Sequence, residues 1–241
     1  MVVRSQSHSG FANTRWSLVA ALRDSGPDGA RKPLLELCLH NWYPVYSYLR
    51  RCGHAPADAQ ERTREFFDYL LREGAVRAAG SEYGRFREFL LAELHTFLAR
   101  ARPAQPVTAP LAPMSIEQLE ARQAKDSVHS GSPEQALRRG FALGIIGSAL
   151  KRLRGEANEA NRLAMFEALE RYLTTEPLPG EFEAIARELS VRPLFVVMAV
   201  RRLRERFVEL IDDTLGDTVL NTDELNAERQ ALQQAMGMES E

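Results

Sequence analysis

Arg62-Thr63-Arg64 sets one hydroxyl between two guanidiniums, within five residues of Asp58, Gln60, Glu61 and Glu65. A phosphothreonine carries about −1.5 to −2 charges and strong acceptor oxygens, so phosphorylation here would turn a locally balanced stretch acidic. A threonine at this register also serves simply by resting its methyl at the edge of an apolar face. Arginines form the second chemistry-bearing set: Arg85, Arg87, Arg100 and Arg102 on or beside one predicted helix, Arg192, Arg201, Arg202 and Arg204 on or beside another. Guanidiniums at this density suit phosphate contact or plain solvated charge. Nothing nominates catalysis. The five histidines (8, 40, 54, 95, 129) and the two cysteines, Cys38 and Cys52, lack metal-ligand spacing. There is no Gly-rich phosphate loop, and the carboxylates are scattered over polar faces. The reading is therefore no enzyme, no cofactor and no metal.

Helices must hold these side chains. Residues 54–71 predict an amphipathic helix with Pro56 in its first turn and Asp58 at the positive end of its dipole. Ala59, Thr63, Phe66/Phe67 and Leu70/Leu71 recur every three or four residues, and Asp58, Gln60, Glu61, Arg64 and Glu65 occupy the other face. Upstream, Asn13 or Thr14 caps a helix carrying Trp16, Val19 and Ala20. Pro33 opens a long apolar helix that Pro44 should kink or split and Gly53 should end. Phe86, Phe89, Leu90, Leu94, Phe97 and Leu98 mark another helix. Pro103, Pro106, Pro110 and Pro113 begin a linker with at most a short helix at Ile116 to Arg122. Ser132-Pro133 then starts a helix to Leu153, ended by Gly155. Further helices are expected over Asn158–Leu173, Glu181–Leu189 and Pro193–Ile211. The last two share the short joint Ser190-Val191-Arg192, the length of a helix-turn-helix. Glu224 to Met236 predicts a final helix. No β-branched residues alternate over a useful length. The class is all-α: two small helical domains, 11–102 and 133–215, a Pro-rich linker, 103–132, and an acidic tail, 216–241.

The chain of 241 residues is 44% hydrophobic and 27% charged, which suits a soluble globular protein. No apolar run approaches the ~18 residues of a membrane span, and the start has no apolar signal segment. Two thiols without a framework predict reduced cysteines in the cytoplasm. The net charge of −2 conceals an asymmetry. Residues 1–100 carry 14 Lys+Arg against 11 Asp+Glu, whereas residues 212–241 carry one against eight. A mildly basic body permits nucleic-acid contact.

Asn13-Thr-Arg-Trp-Ser-Leu-Val, Trp42-Tyr-Pro-Val-Tyr, Gly53-His-Ala-Pro-Ala-Asp-Ala-Gln, Glu65-Phe-Phe, Gly84-Arg-Phe-Arg-Glu-Phe-Leu and Ile185-Ala-Arg-Glu-Leu…Val200-Arg-Arg-Leu-Arg-Glu-Arg-Phe follow one another over residues 11–215. In order and spacing they resemble RNA polymerase sigma factors of the extracytoplasmic-function type, in a subgroup with a Thr-Arg-Trp-Ser start. The resemblance implies a region 2 domain that docks on the clamp of the polymerase β′ subunit and opens the −10 element. It also implies a region 4 domain whose helix-turn-helix reads the −35 element. Polymerase contact falls to Asp58, Gln60, Glu61 and Glu65. Promoter DNA falls to Arg85, Arg87, His95, Arg100 and Arg102 in the first domain, and to Arg192, Arg201, Arg202 and Arg204 in the second. The likeness extends to sigma factors activated on this helix by a Ser/Thr protein kinase, which assigns Thr63, framed by Arg62 and Arg64, as the acceptor.

Three departures sharpen the expectation. Asp58-Ala-Gln-Glu-Arg replaces a denser acidic motif, so electrostatic docking should be weaker than usual. The basic extension after the Phe86–Leu98 helix is missing. The start of the recognition helix is apolar, and Leu194, Phe195 and Met198 cannot all be buried, which points to a protein partner there. The leading expectation is an alternative sigma factor switched by phosphorylation of Thr63. The rival is a sigma-like interaction protein that has lost sequence-specific DNA binding.

Overall fold

The computed structural model describes residues 31–72, 86–100, 112–126, 131–216 and 222–236, and no strand occurs among them. In chain order the helices are α1 (Arg31–Arg51), α2 (Pro56–Arg72), α3 (Phe86–Ala99), α4 (Ile116–Asp126), α5 (Pro133–Glu159), α6 (Leu163–Leu169), α7 (Glu181–Glu188), α8 (Pro193–Gly216) and α9 (Thr222–Met236). A 3-10 turn, Glu170–Leu173, follows α6. The protein is all-α, as its periodicity predicts. The expected helix after Asn13, Arg85, Arg102 and the prolines at 103, 106 and 110 lie outside the described residues.

Two compact units form, residues 1–144 with 215–241, and residues 145–214. The first is organised on aromatic burial. Trp42, Tyr46 and Leu49 of α1 meet Ala59, Phe66, Phe67 and Leu70 of α2 and Phe86, Leu90, Leu94 and Phe97 of α3 in one core. Trp42 stacks on Phe67 with ring centroids 5.7 Å apart, and Phe66 meets Phe97 edge-on at 5.6 Å. Each such ring removes roughly 150–250 Å² from water, which makes this cluster the main stabilising mass of the unit.

Gly53 does end α1. It takes φ +94°, its N–H donates to Arg50 O at 3.1 Å, and the His54 N–H donates to Leu49 O at 3.2 Å. This is the paired closure that a left-handed residue after a helix makes possible. Pro44 does not split the helix: α1 is one element from Arg31 to Arg51. Packing offsets the lost hydrogen bond. Trp42, Tyr43, Val45 and Tyr46 are all buried beside Pro44, and the α5 backbone at Gly140 comes so near that a Cβ there would lie 2.8 Å from Pro44 Cα.

The short helix expected at Ile116 forms and runs on to Asp126, and it is packed into the first unit where the sequence predicts a flexible linker. Ser115 and Gln118 form a reciprocal capping box (Ser115 N–H to Gln118 Oε1 3.0 Å, Gln118 N–H to Ser115 Oγ 3.3 Å) that starts α4. Leu119 is fully buried in the first core. Glu120 accepts from Tyr46 Oη at 2.5 Å and from Arg50 Nε and Nη2 at 2.8 Å each. Tyr43 Oη donates to Asp126, and Arg122 lies 3.8 Å from the Tyr43 ring centroid. Proline-rich composition signals a flexible connection, but it does not register one buried leucine with a forked ion pair beside it. The boundary also falls later than residue 133, because Leu137 and Phe141 of α5 belong to the first core.

In the second unit Ala149, Leu153, Phe166, Phe207 and Leu210 form one cluster, and Leu169, Tyr172, Ile185, Ala186, Val196 and Val200 another. Ser132 caps α5 as the sequence predicts, in a second reciprocal box with Gln135. α5 passes through Gly155 and closes later, at Asn161 (φ +54°), where the Arg162 N–H reaches Ala157 O at 2.7 Å. Asparagine tolerates the left-handed region well enough to displace the glycine signal.

Candidate functional site

The polar face of α2 is built from the turn outward. His54 Nδ1 lies 2.5 Å from Asp58 Oδ2, and Arg62 Nε donates to Asp58 Oδ1 at 3.2 Å. Partial desolvation would raise the Asp58 carboxyl, but the His54 contact and the Arg62 charge outweigh it and hold it below its ordinary value. Glu61 faces Arg64 Nη1 at 3.9 Å, and Glu65 is half-buried. Asp58 and Glu61 are thus exposed carboxylates with local cations beside them, a face of low net charge. Gln60 is differently placed. Its Nε2 donates to Met114 O at 3.4 Å, tying it beneath residues 112–115. Between that segment and Trp42, Gln60, Glu61 and Arg64 lies a cleft of about 360 Å³.

Thr63 is not on this face. It is fully buried, and its Oγ1 donates to Ala59 O at 2.7 Å, one turn back. The expected surface acceptor for a kinase is corrected: the register that lines Thr63 up with Ala59 and Phe66/Phe67 carries it inside. Arg62 and Arg64 remain half-exposed on either side.

The first arginine set separates. Arg87 is 11% exposed, and its Nε donates to Glu228 Oε1 of α9 at 3.1 Å. Glu88 lies 3.5 Å from its Nη2. Arg100 is exposed at the end of α3. His95 is exposed, 3.8 Å from Glu134, with its ring 6.0 Å from that of Tyr48. The Thr96 hydroxyl is turned back to Ala92 O at 3.0 Å.

In the second unit α7 closes at Ser190 (φ +54°), with the Ser190 N–H to Arg187 O at 3.2 Å and the Val191 N–H to Ala186 O at 2.9 Å. This tight joint turns the chain into α8. Arg192, Arg201 and Arg202 are exposed, and Arg201 pairs with Glu205 at 2.9 Å. Arg204 is corrected from a DNA candidate to a structural brace: its Nε donates to Tyr172 O at 2.7 Å and its Nη2 to Thr175 O at 3.1 Å, with Glu176 at 3.0 Å. Leu194, Phe195 and Met198 are 70%, 52% and 46% exposed, with Val197 beside them at 45%. Leu194, Phe195 and Met198 are thus exposed together, as expected of apolar side chains that cannot all share one buried face.

Residues that sequence reasoning missed are those paired across long separations: Glu120 with Arg50, Glu156 with Arg206 at 2.7 Å, and Glu228 with Arg87. Glu228 carried a readable signal, since it stands in the Leu225–Leu232 stripe where a helix normally places an apolar side chain. Burial pushes the Cys38 thiol up to about 12, so it is an inert core group, while Cys52 is exposed. Among the described residues no group of His, Cys, Asp or Glu could hold a metal ion, and no helix is long and apolar enough to cross a membrane. Comparison with family models, with curated proteins and with solved structures gives no match.

Proposed function

We propose that this chain is an alternative RNA polymerase sigma factor, which attaches to core polymerase in the cytoplasm and directs initiation at a small set of promoters. The observation that carries the reading is the α7–α8 pair. A tight joint ending at exposed Arg192 leads into a helix that exposes Arg201 and Arg202 in its third turn, and no acidic residue occurs from Leu189 to Arg204. A helix-turn-helix with that face meets DNA phosphates at its start and along its exposed side. The apolar side chains between the arginines offer few base-edge donors, so selectivity from this helix is low.

The α2 face supports attachment to the polymerase clamp through Asp58, Glu61 and Glu65. Their local arginines compete for the same carboxylates, which makes docking weak without a further input. Kinase control, if it acts at Thr63, does so by another route than added surface charge. A phosphate has no room beside Ala59 and Phe66, so modification would follow, and then hold, a local opening of α2.

A second reading is favoured by the exposure of Leu194, Phe195 and Met198: a sigma-like regulator that works through protein contacts alone. In vitro transcription on genomic fragments with purified core polymerase, with and without a Ser/Thr kinase, separates the two. Promoter-specific transcripts are the expected result. Core binding without transcripts selects the second reading, and failure to bind core under either condition removes both.

A further inference from the structure

The acidic end of the chain is not a loose tail over its whole length. Residues 222–236 form α9, and its inward stripe is Leu225, Glu228, Ala231 and Leu232, spaced three and four apart. At the centre of that stripe stands a carboxylate. Glu228 is buried, and Arg87 Nε donates to it at 3.1 Å across a sequence separation of 141 residues. A buried carboxylate is costly without a cation, so the α9 contact is specific to the place where Arg87 projects. Arg87 is itself only 11% exposed in this state, with Glu88 as a further neighbour at 3.5 Å. A guanidinium committed to one buried carboxylate cannot also hold a phosphate in the same orientation.

We propose that α9 is an internal competitor for the anionic ligand of Arg87: Glu228 and a nucleic-acid phosphate occupy the same guanidinium in turn, so DNA contact by α3 requires release of the chain's own C-terminal helix. This rests on the reading of α3 as a DNA-facing helix. The charge pattern fits competition. Residues 217–241, beyond α8, carry one basic and six acidic side chains, so the displaced segment repels the polyanion that displaces it and does not rebind elsewhere along it. Salt weakens phosphate contact steeply and a buried pair little, so high ionic strength favours the clasped state.

Hydrogen exchange on the full chain, with and without a saturating fluorescent single-stranded 30-mer at low salt, tests the exchange of partners directly. Amides of 222–236 should lose protection when the oligonucleotide binds, and unchanged protection overturns the proposal. In anisotropy titrations Glu228→Gln should bind the oligonucleotide roughly fivefold more tightly at 0.1 M salt, with the salt slope of the wild type, because both bound states hold the same number of phosphates. Adding Arg87→Gln to Glu228→Gln should cancel that gain. Equal binding by wild type and Glu228→Gln also overturns the proposal, and if that variant does not fold, the exchange measurement on the wild type decides. A pull-down of core polymerase keeps the two ideas apart. Displacement of α9 without polymerase binding sinks the sigma reading alone, and polymerase binding with α9 unmoved sinks the competitor alone.

Discussion

Thr63 shows how far one residue's role depends on depth and not on neighbours. Its flanking arginines and nearby acids describe a regulatory serine/threonine site, yet the side chain is fully enclosed and its hydroxyl returns to Ala59 O. The helical period was legible in the sequence and already placed Thr63 with Ala59 and Phe66/Phe67. What the period cannot supply is that α1 and α3 close over that side, because those contacts join residues far apart in the chain. Two substitutions separate the roles. Thr63→Val keeps the shape and forfeits a hydrogen bond to an oxygen that the helix already uses, so it should cost no more than about 1 kcal/mol in urea unfolding. Thr63→Glu, the usual substitute for a phosphate, places an unpaired carboxylate in an aromatic core and should cost more than about 3 kcal/mol. Equal stability of the two variants would contradict the enclosed position. In any test of the proposed polymerase attachment, a loss of binding by Thr63→Glu reports unfolding of α2 unless its stability is measured alongside.

At the scale of elements, the legible features were those written locally: the Gly53 closure, the Ser132 cap, the amphipathic α2, the helix-joint-helix at 181–216. The illegible ones were decided by tertiary partners. α1 continues across Pro44 because the Gly140 backbone and a row of buried aromatics pack against it through the missing hydrogen bond. Gly140→Ala tests this. Alanine gains up to about 1 kcal/mol in helix propensity, but its Cβ would stand 2.8 Å from Pro44 Cα, a backbone atom that cannot swing away. Overpacking costs about 1–3 kcal/mol, so the variant should be less stable on balance; a rise in its melting temperature would show that α5 shifts freely. α4 is likewise held by tertiary partners, a forked pair among them. The hydrogen bonds from Arg50, against some desolvation and with help from Tyr46, hold the Glu120 carboxyl below its ordinary value of 4.5. A carboxyl lowered by folding stabilises fully above the unfolded value, and that contribution fades as pH falls through the folded one. Glu120→Ala should therefore cost about 2 kcal/mol near neutral pH, and the gap between variant and wild type should close progressively below pH 4.5. A gap independent of pH would assign the effect to packing of α4 alone.

The whole molecule contains two compact units with separate cores, and their spectroscopic labels differ. Both tryptophans, Trp16 and Trp42, precede residue 145, so residues 145–214 contain none. Trp42 is buried against Phe67 in the first core and reports its opening, whereas far-ultraviolet circular dichroism sums the helices of both. Within the second unit Val196 is fully buried under α7, among Ile185, Ala186 and Val200. Truncating it removes two methyl groups and leaves a cavity, at about 2 kcal/mol by analogy with other large-to-small core changes. If each core is its own cooperative unit, Val196→Ala lowers only part of the dichroism transition and leaves the tryptophan transition where it was. A single transition that moves in both signals would show instead that the chain unfolds as one body. The outcome also bears on how the functional surfaces operate. Independent units would let α8 be tuned or lost without disturbing the α2 face, as a regulator built on protein contacts requires. A single cooperative body would make every substitution in the α7–α8 pair a change in the stability of the α2 face as well, and variants made to test the proposed DNA contact would then be interpretable only beside their melting curves.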